Sequence, residues 1–212
     1  MKQAKKQLSK KILPRSGQGT PAGKIRIIAG KYKGRKLPVL MAEGLRPTTD
    51  RVKETVFNWL MPYIGQANCL DCFAGSGSLG FEALSRGAGH VTLVELNRAA
   101  AKQLLANKDL LNVNNLAVIN SDALTFLKEG CLTPTLPQNA QQPFDLVFLD
   151  PPFRKQLVEQ AAQLLNNVGL ADQALIYVEM EAQSTQVIPS NWQLIKEKLA
   201  GQVVYRLYQY QS

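Results

Sequence analysis

Two short segments of the sequence carry residues whose types and spacing could do chemistry. The first is Asp150-Pro151-Pro152-Phe153, at the end of the apolar run Phe144–Leu149. A planar amine on a heterocycle is a poor nucleophile, because its lone pair is delocalised into the ring. To be alkylated it must be held in line with an electrophile, with acceptors placed for its hydrogens. Asp150 can accept one N–H, and a backbone carbonyl beside it can accept the other. Both contacts strengthen as charge develops on nitrogen, so they act selectively on the transition state. The prolines hold that carbonyl rigidly and bring no competing N–H. Phe153 can stack on an extracted base. Asp150, Pro151, Pro152 and Phe153 are therefore the candidate catalytic residues. Asp150 need not be a strong base, since the attacking amine becomes acidic only once it is alkylated.

The second segment runs from Asp71 through a glycine-rich turn, with Gly75, Gly77 and Gly80 spaced as GxGxxG, into a helix starting near Leu79. Glycines let the backbone turn sharply and bring a ligand close to unsatisfied helix amides. Glu95 ends the next strand, where a carboxylate can accept two hydrogen bonds from a ribose diol. Strand, glycines, helix and acid in this order predict an adenosine-containing ligand. The spacing alone admits a dinucleotide, since Glu95 stands twenty residues after Gly75, where a nicotinamide enzyme also places its acid. Three features favour S-adenosylmethionine instead. Asp71 would repel a pyrophosphate but suits a positively charged methionine end. The Ser121-Asp122-Ala123 turn offers a polar group to an adenine amine, and Asp150-Pro151-Pro152-Phe153 follows the fourth strand. The candidate donor-binding residues are Asp71, Phe73, Gly75, Ser76, Gly77, Glu95, Asp122 and Ala123.

The elements that must position these residues follow a βαβ rhythm. Apolar runs predict strands at Cys69–Phe73, His90–Leu96, Leu116–Asn120, Phe144–Leu149 and Ala174–Glu179. Helical stretches fall between them, near 79–86, 97–111, 122–129 and 154–168. This pattern implies an α/β fold, a doubly wound and mainly parallel sheet with helices on both faces. The end of the chain breaks the rhythm: Trp192–Leu199 and Val203–Tyr210 read as a hairpin hinged at Ala200-Gly201. Ahead of the sheet, alternation at Ile25, Ile27 and Ala29 and an extended piece from Tyr32 to Val39 predict a small β-hairpin. Thr48-Thr49-Asp50 then marks a helix start, with Val52, Val56, Trp59, Leu60 and Tyr63 on one apolar face. Three segments result: a basic, disordered extension at 1–23, a hairpin and helix at 24–64, and the nucleotide-binding domain at 65–212. The Pro- and Gln-rich stretch at 131–143 reads as a surface loop.

Charge separates these segments. Residues 1–53 hold fifteen lysines and arginines against two acids, whereas the rest holds ten against fourteen. Such asymmetry points to a polyanionic partner for the N-terminal part, with Arg26, Lys33, Arg35 and Lys36 presented by the hairpin. Three cysteines and one histidine are too few for a paired-cysteine zinc site, and no metal is expected. Unpaired cysteines suit a reducing cytoplasm. No apolar run reaches the ~20 residues of a membrane span, and the basic N-terminus lacks the apolar core of a secretory signal. A nicotinamide oxidoreductase would need a hydride-handling residue at the sheet edge, and His90 sits early in its strand.

The segments RIIAGKYKGRKLP, LRPTTDRVKETVFNWL, DCFAGSGSLGFEALSRGA, FDLVFLDPPF, ALIYVE and AGQVVYRLYQY, in this order from Lys24 to the C-terminus, resemble the bacterial 16S rRNA (guanine-N2)-methyltransferase D family. The resemblance implies a class I methyltransferase, Rossmann-like, with a seven-stranded sheet and a reversed final strand. It implies S-adenosylmethionine at the glycine loop and a guanine of small-subunit RNA as acceptor, with related RNA and DNA amino-methyltransferases sharing the Asp-Pro-Pro-Phe core. Asp71, Gly75 and Gly77 match the family's donor loop, Glu95 its ribose acid, and Asp150 to Phe153 its target-amine motif. Arg46, Pro47, Thr48 and Arg51 match a stretch lying over the donor and near the RNA. The partner implied is 16S ribosomal RNA, bare or within a small-subunit particle, for a monomeric enzyme. The 23-residue extension has no counterpart in the family, and the 131–143 loop is longer than usual.

Overall fold

A computed structural model describes residues 23–40, 49–129, 142–153, 155–166 and 169–212. The basic extension as far as residue 22, Arg46 to Thr48 and most of the 131–143 loop lie outside these residues. The chain opens with a two-stranded antiparallel hairpin, β1 (Gly23–Arg26) and β2 (Lys36–Val39), followed by helix α1 (Asp50–Leu60). The alternating part is β3 (Asn68–Asp71), α2 (Ser78–Ser85), β4 (His90–Val94), α3 (Arg98–Leu111), β5 (Leu116–Ile119), α4 (Ala123–Lys128), β6 (Phe144–Leu149), α5 (Leu157–Leu165) and β7 (Leu170–Glu181). The hairpin β8 (Trp192–Ala200) and β9 (Val203–Tyr210) closes the chain.

Seven strands form one sheet in the order β5-β4-β3-β6-β7-β9-β8. Strands β5, β4, β3, β6 and β7 are mutually parallel, and β9 is antiparallel to both of its neighbours. The last strand in sequence is thus the reversed one, slotted between β7 and β8, as the resemblance implies. Central parallel strands are covered on both faces, so they read as continuous apolar runs rather than as alternation. Every residue of β3 and of β4 is buried. One apolar layer joins Leu146, Phe148, Leu175 and Tyr177 of the sheet to α1, α2 and α3. The opposite layer joins Val147, Leu149, Ile176 and Val178 to α4 and α5.

Several boundaries differ from the sequence expectation, each for a physical reason. Strand β7 extends well beyond 174–179 because it pairs with β6 along one edge and β9 along the other. Helix α5 begins at Leu157 rather than 154, after Gln156 adopts a left-handed conformation with φ 51°. On α1, Lys53 and Phe57 join Val56 and Leu60 in the buried face. Tyr63 lies past the end of the helix and is exposed, because helical spacing no longer applies there. The extended piece predicted from Tyr32 shortens to Lys36–Val39, since residues 31–34 form a turn between Gly30 and Gly34, both at positive φ.

The hairpin and α1 share the first apolar layer with the sheet through Ile25, Ile27, Leu37, Val56, Phe57 and Leu60. Buried polar groups hold them in register. The Glu82 carboxylate of α2 is fully buried and accepts from the amides of Ile28 (2.9 Å) and Ala29 (3.0 Å) and from Arg86 Nε (2.8 Å). Ser85 Oγ accepts from the Tyr32 amide and donates to the Ala29 carbonyl. At Gly30 (φ 79°) a Cβ would sit 1.9 Å from the Ser85 carbonyl oxygen, so only glycine fits this contact. Lys53 Nζ, also buried, donates to the Arg26 carbonyl at 2.6 Å.

Removing one member of a buried charged network leaves its partners without a counterpart. Glu82→Ala is therefore expected to lower unfolding stability by about 3–5 kcal/mol, measured by urea denaturation. A loss below about 1 kcal/mol would show that water replaces the carboxylate at those amides.

Candidate functional site

The glycine loop follows β3 at the point where the strand order reverses direction, since β4 and β6 flank β3 on opposite sides. Ligands of open α/β sheets bind beyond the carboxyl ends of the strands at such a point. The N-cap of α2 is Gly77, whose φ of 75° no side chain adopts cheaply and which provides no capping group. The missing cap comes from the preceding strand: Asp71 Oδ2 accepts the Gly80 amide at 3.1 Å. A carboxylate at this position also favours the positive end of the helix dipole. Gly80 itself is a packing residue, because a Cβ there would stand 2.2 Å from Leu93 Cδ2 and 3.3 Å from Asp71 Oδ2.

Asp71 thus sits beneath the loop and is only 2% exposed. Burial pushes its carboxyl up to about 7, and the Glu95 charge adds to the rise, against the amides of Gly80 and Phe73. Glu95 stands one residue past β4 and anchors the loop from the other side. Its Oε2 accepts the Gly75 amide and its Oε1 the Asn97 amide, both at 2.7 Å. A carboxylate has about four acceptor sites, so these bonds orient Glu95 while leaving capacity for a diol. Ser76 and Phe73 lie half-buried in the loop.

Asp122 caps α4 through the Thr125 amide (2.9 Å), and Ala123 is buried beside it. Asn120 Nδ2 donates to the carbonyls of Glu95 (2.8 Å) and Leu96 (3.0 Å), tying the ends of β5 and β4 together. Leu96, which sequence reasoning passed over, exposes 68% of its surface at this edge. Its signal was an apolar residue directly after the strand's acid. These residues fit S-adenosylmethionine, a cation with an adenosine end. Two carboxylates flank a loop with left-handed glycines at 75 and 77, and the buried Ser78 hydroxyl at the start of α2 has no partner among the described residues.

Strand β6, the neighbour of β3, delivers the second segment to the same edge. Asp150 is half-buried, Pro151 is buried, Pro152 is exposed and Phe153 is 37% exposed. Next along the sheet stands a cluster that sequence reasoning missed. The Tyr177 hydroxyl donates to Glu179 Oε2 at 2.9 Å. Burial raises the Tyr177 phenol well above its usual range, and the charges of Glu179 and Asp150 add to it. Burial and Glu179 also raise Tyr205, with Arg51 opposing them. Asp150, Tyr177, Glu179, Tyr205 and Arg51 are therefore electrostatic neighbours, drawn from β6, β7, β9 and α1. Tyr177, Glu179 and Tyr205 lie inside apolar strands of the sequence, where only an acid near the end of such a run hinted at a role.

The predicted RNA-facing cations divide into two kinds. Arg26 is bound to Asp50 through Nε (3.1 Å) and Nη2 (2.5 Å), and Lys53 completes the group at 3.5 Å. Burial works to raise the Asp50 carboxyl, but Arg26 and Lys53 hold it below its usual range. Arg35 Nη2 donates to the Leu110 carbonyl near the end of α3, at 3.1 Å. Both arginines thus have partners within the protein, and, like Lys33, Lys36 and Arg51, both are exposed.

The described residues contain no cluster of histidine, cysteine and acid that could hold a metal. Cys69 and Cys72 are both buried. His90 begins β4, at the opposite end of that strand from the glycine loop, with its imidazole lowered by burial and by Lys108. No described helix is long and apolar enough to cross a membrane.

Comparison with known proteins agrees with this geometry. The family described as Conserved hypothetical protein 95 matches residues 25–209. The chain is 53% identical over 190 residues to Ribosomal RNA small subunit methyltransferase D of Escherichia coli K12, covering 89% of this chain and 91% of that protein. It is 58% identical to the protein of the same name from Haemophilus influenzae, covering 88% and 94% respectively. The solved structure of yhhF from Escherichia coli superposes with a TM-score of 0.78 at 53% identity, covering 90% of this chain and 99% of that one. The sheet order and the reversed β9 are those of class I methyltransferases, and the chain belongs to the family of ribosomal RNA small subunit methyltransferase D.

Proposed function

We propose that this protein transfers a methyl group from S-adenosylmethionine to the exocyclic N2 of a guanine in 16S ribosomal RNA, acting as a cytoplasmic monomer on the RNA or on a small-subunit particle. The observation that carries this reading is the adjacency of two sites at one sheet edge: the carboxylate-flanked glycine loop after β3 and Asp150-Pro151-Pro152-Phe153 after β6. The names of the close relatives support the RNA as substrate.

S-adenosylmethionine, when bound, supplies a methyl group on a sulfonium, an electrophile that needs no further activation. The Gly75–Gly77 backbone and Glu95 would hold it, with Leu96 and Asp122 on the adenine side and Asp71 supplying negative charge below. Asp150 accepts a hydrogen of the target amine and fixes its direction. As the amine gains positive charge, that hydrogen bond becomes charge-assisted and strengthens. Phe153 presents a ring for the extracted base to stack on. Pro151 adds no amide donor to compete for the neighbouring acceptors. Lys33, Lys36 and Arg51, with Arg46 and Thr48, would meet the phosphates.

Three outcomes test this reading. Asp150→Ala should lower methyl transfer to unmethylated small-subunit RNA by about 10²–10⁴-fold, with donor affinity changed by less than about threefold in calorimetry. Near-normal turnover would refute the role. For Asp71, a bound cation favours the ionised form, so the raised carboxyl must lose its proton as the donor binds. Donor affinity should then rise with pH up to about 7, by at most about tenfold per unit for one linked proton. In Asp71→Asn that component should vanish, and an unchanged pH profile would remove Asp71 from the donor site. Finally, Lys33→Ala combined with Lys36→Ala should reduce the salt dependence of RNA binding by roughly one to two counterions. An unaltered slope would place the RNA on another face.

A further inference from the structure

We propose that Glu179 reads the ring N1–H of the target guanine and thereby selects guanine among the bases, with Tyr177 as the positioning residue that orients its carboxylate. This inference rests on the guanine-N2 reading above and assigns the residue that enforces it.

Placement comes from the sheet register. Strands β6 and β7 run parallel with Phe148 opposite Tyr177 and Leu149 opposite Val178. Continued one step past the end of β6, this register brings Asp150 beside Glu179 at about the 5 Å spacing of neighbouring strands, and both charges act on Tyr177. Residues two apart on a strand share a face, so Glu179 lies on the side of Tyr177, and Asp150 on the side of Phe148. The rings of Phe148 and Tyr177 meet on that face with centroids 6.2 Å apart, under α1 through Phe57. The lateral sequence along the edge is therefore donor loop on β3, Asp150 on β6, Glu179 on β7, then Tyr205 on β9. An amine held at Asp150 and directed at the donor leaves the rest of its ring edge to lie over β7.

The chemistry of that edge singles out guanine. Its exocyclic amine is flanked by a ring N–H, so two donors point the same way. In adenine and cytosine the ring nitrogen next to the amine carries a lone pair instead. A carboxylate accepts hydrogen bonds and cannot donate them when ionised. With the amine at Asp150, Glu179 would meet a donor from guanine and a repelling lone pair from adenine or cytosine. Sites built to satisfy a specific donor reject analogues lacking it strongly, because the buried acceptor is left unpaired. The Tyr177 hydroxyl takes one of the roughly four acceptor sites of Glu179 from a fully buried position. That bond fixes the carboxylate's direction.

The test uses small-subunit RNA lacking the modification, with the mapped target guanine either retained or replaced by 2-aminopurine. That analogue keeps the 2-amine but presents a lone pair at N1. The wild-type enzyme should lose about 10²-fold or more in kcat/KM on the analogue. Glu179→Gln should lose about 10²-fold on guanine, and its preference over 2-aminopurine should collapse below about tenfold, because the carboxamide can donate to N1. Donor affinity, read by calorimetry, should stay within about threefold of wild type, reporting an intact fold. Tyr177→Phe should relax the preference by several-fold while leaving donor affinity unchanged, and it carries the same test should Glu179→Gln fail to fold. Glu179→Gln with wild-type turnover, or with undiminished guanine preference, overturns the assignment. Normal N2-methylguanosine formation by Glu179→Gln would refute the inference alone, whereas a wild-type product other than N2-methylguanosine would refute the guanine reading and the inference together.

Discussion

Helix α2 has a glycine at its N-cap and so lacks a side-chain cap there, and the carboxyl edge of the sheet is organised around the carboxylate that replaces it. Asp71 reaches from the end of β3 to the Gly80 amide, and this one bond couples the sheet to the helix over which the donor loop is folded. The bond demands an acceptor inside the protein, next to the positive end of a helix and near a second acid, Glu95. Burial and that acid keep Asp71 partly protonated near neutrality. A buried carboxyl that is easily charged by an adjacent cation suits a site for a positively charged donor. The same group thus seats the helix and prepares the electrostatics of the loop.

Two other carboxylates repeat the principle around α2. Glu82 accepts two amides of the N-terminal hairpin turn, and Glu95 accepts amides on each side of the donor loop. Backbone amides, rather than lysines or arginines, are the main partners of these acids. Such bonds fix backbone position more tightly than surface ion pairs, which contribute little. Through Glu82, Ser85 and the close contact at Gly30, the hairpin is pressed against the helix that carries the donor loop. Through Phe57 and Trp59, α1 is packed on Phe148 and Tyr205. The N-terminal elements therefore pack beside β6 and β9, and Arg51 at the start of α1 comes within electrostatic reach of Tyr205.

Residue types change in order along the edge. Glycines and acids occupy β3 and β4, the Asp150 turn occupies β6, and a tyrosine–glutamate pair occupies β7. The reversed β9 brings Tyr205 opposite Glu179. An antiparallel strand at this place sends its early residues to the functional edge, where a parallel strand would send its last ones.

Much of this was legible in the sequence. Strand, glycine loop, helix and acid are local in the chain, and local spacing dictates their geometry, so Asp71, Gly75, Gly77 and Glu95 could be grouped without coordinates. Asp150 to Phe153 could be read likewise, because prolines after an apolar strand restrict the backbone whatever surrounds it. Other roles depended on contacts between distant segments. Arg26 and Arg35 look like free cations in the chain, yet Asp50 and the Leu110 carbonyl claim them. Gly80 reads as a ligand-binding glycine, yet its lack of a side chain serves the packing of α2 on Leu93. Tyr177, Glu179 and Tyr205 read as interior strand residues, because periodicity reports which face is covered and not what stands on the neighbouring strand. Sequence by itself determined the order of the segments and the parallel sheet beneath them. Only the tertiary structure decided which cations found partners within the protein and which acid came near Asp150, because strand order and register bring together residues that the chain keeps far apart.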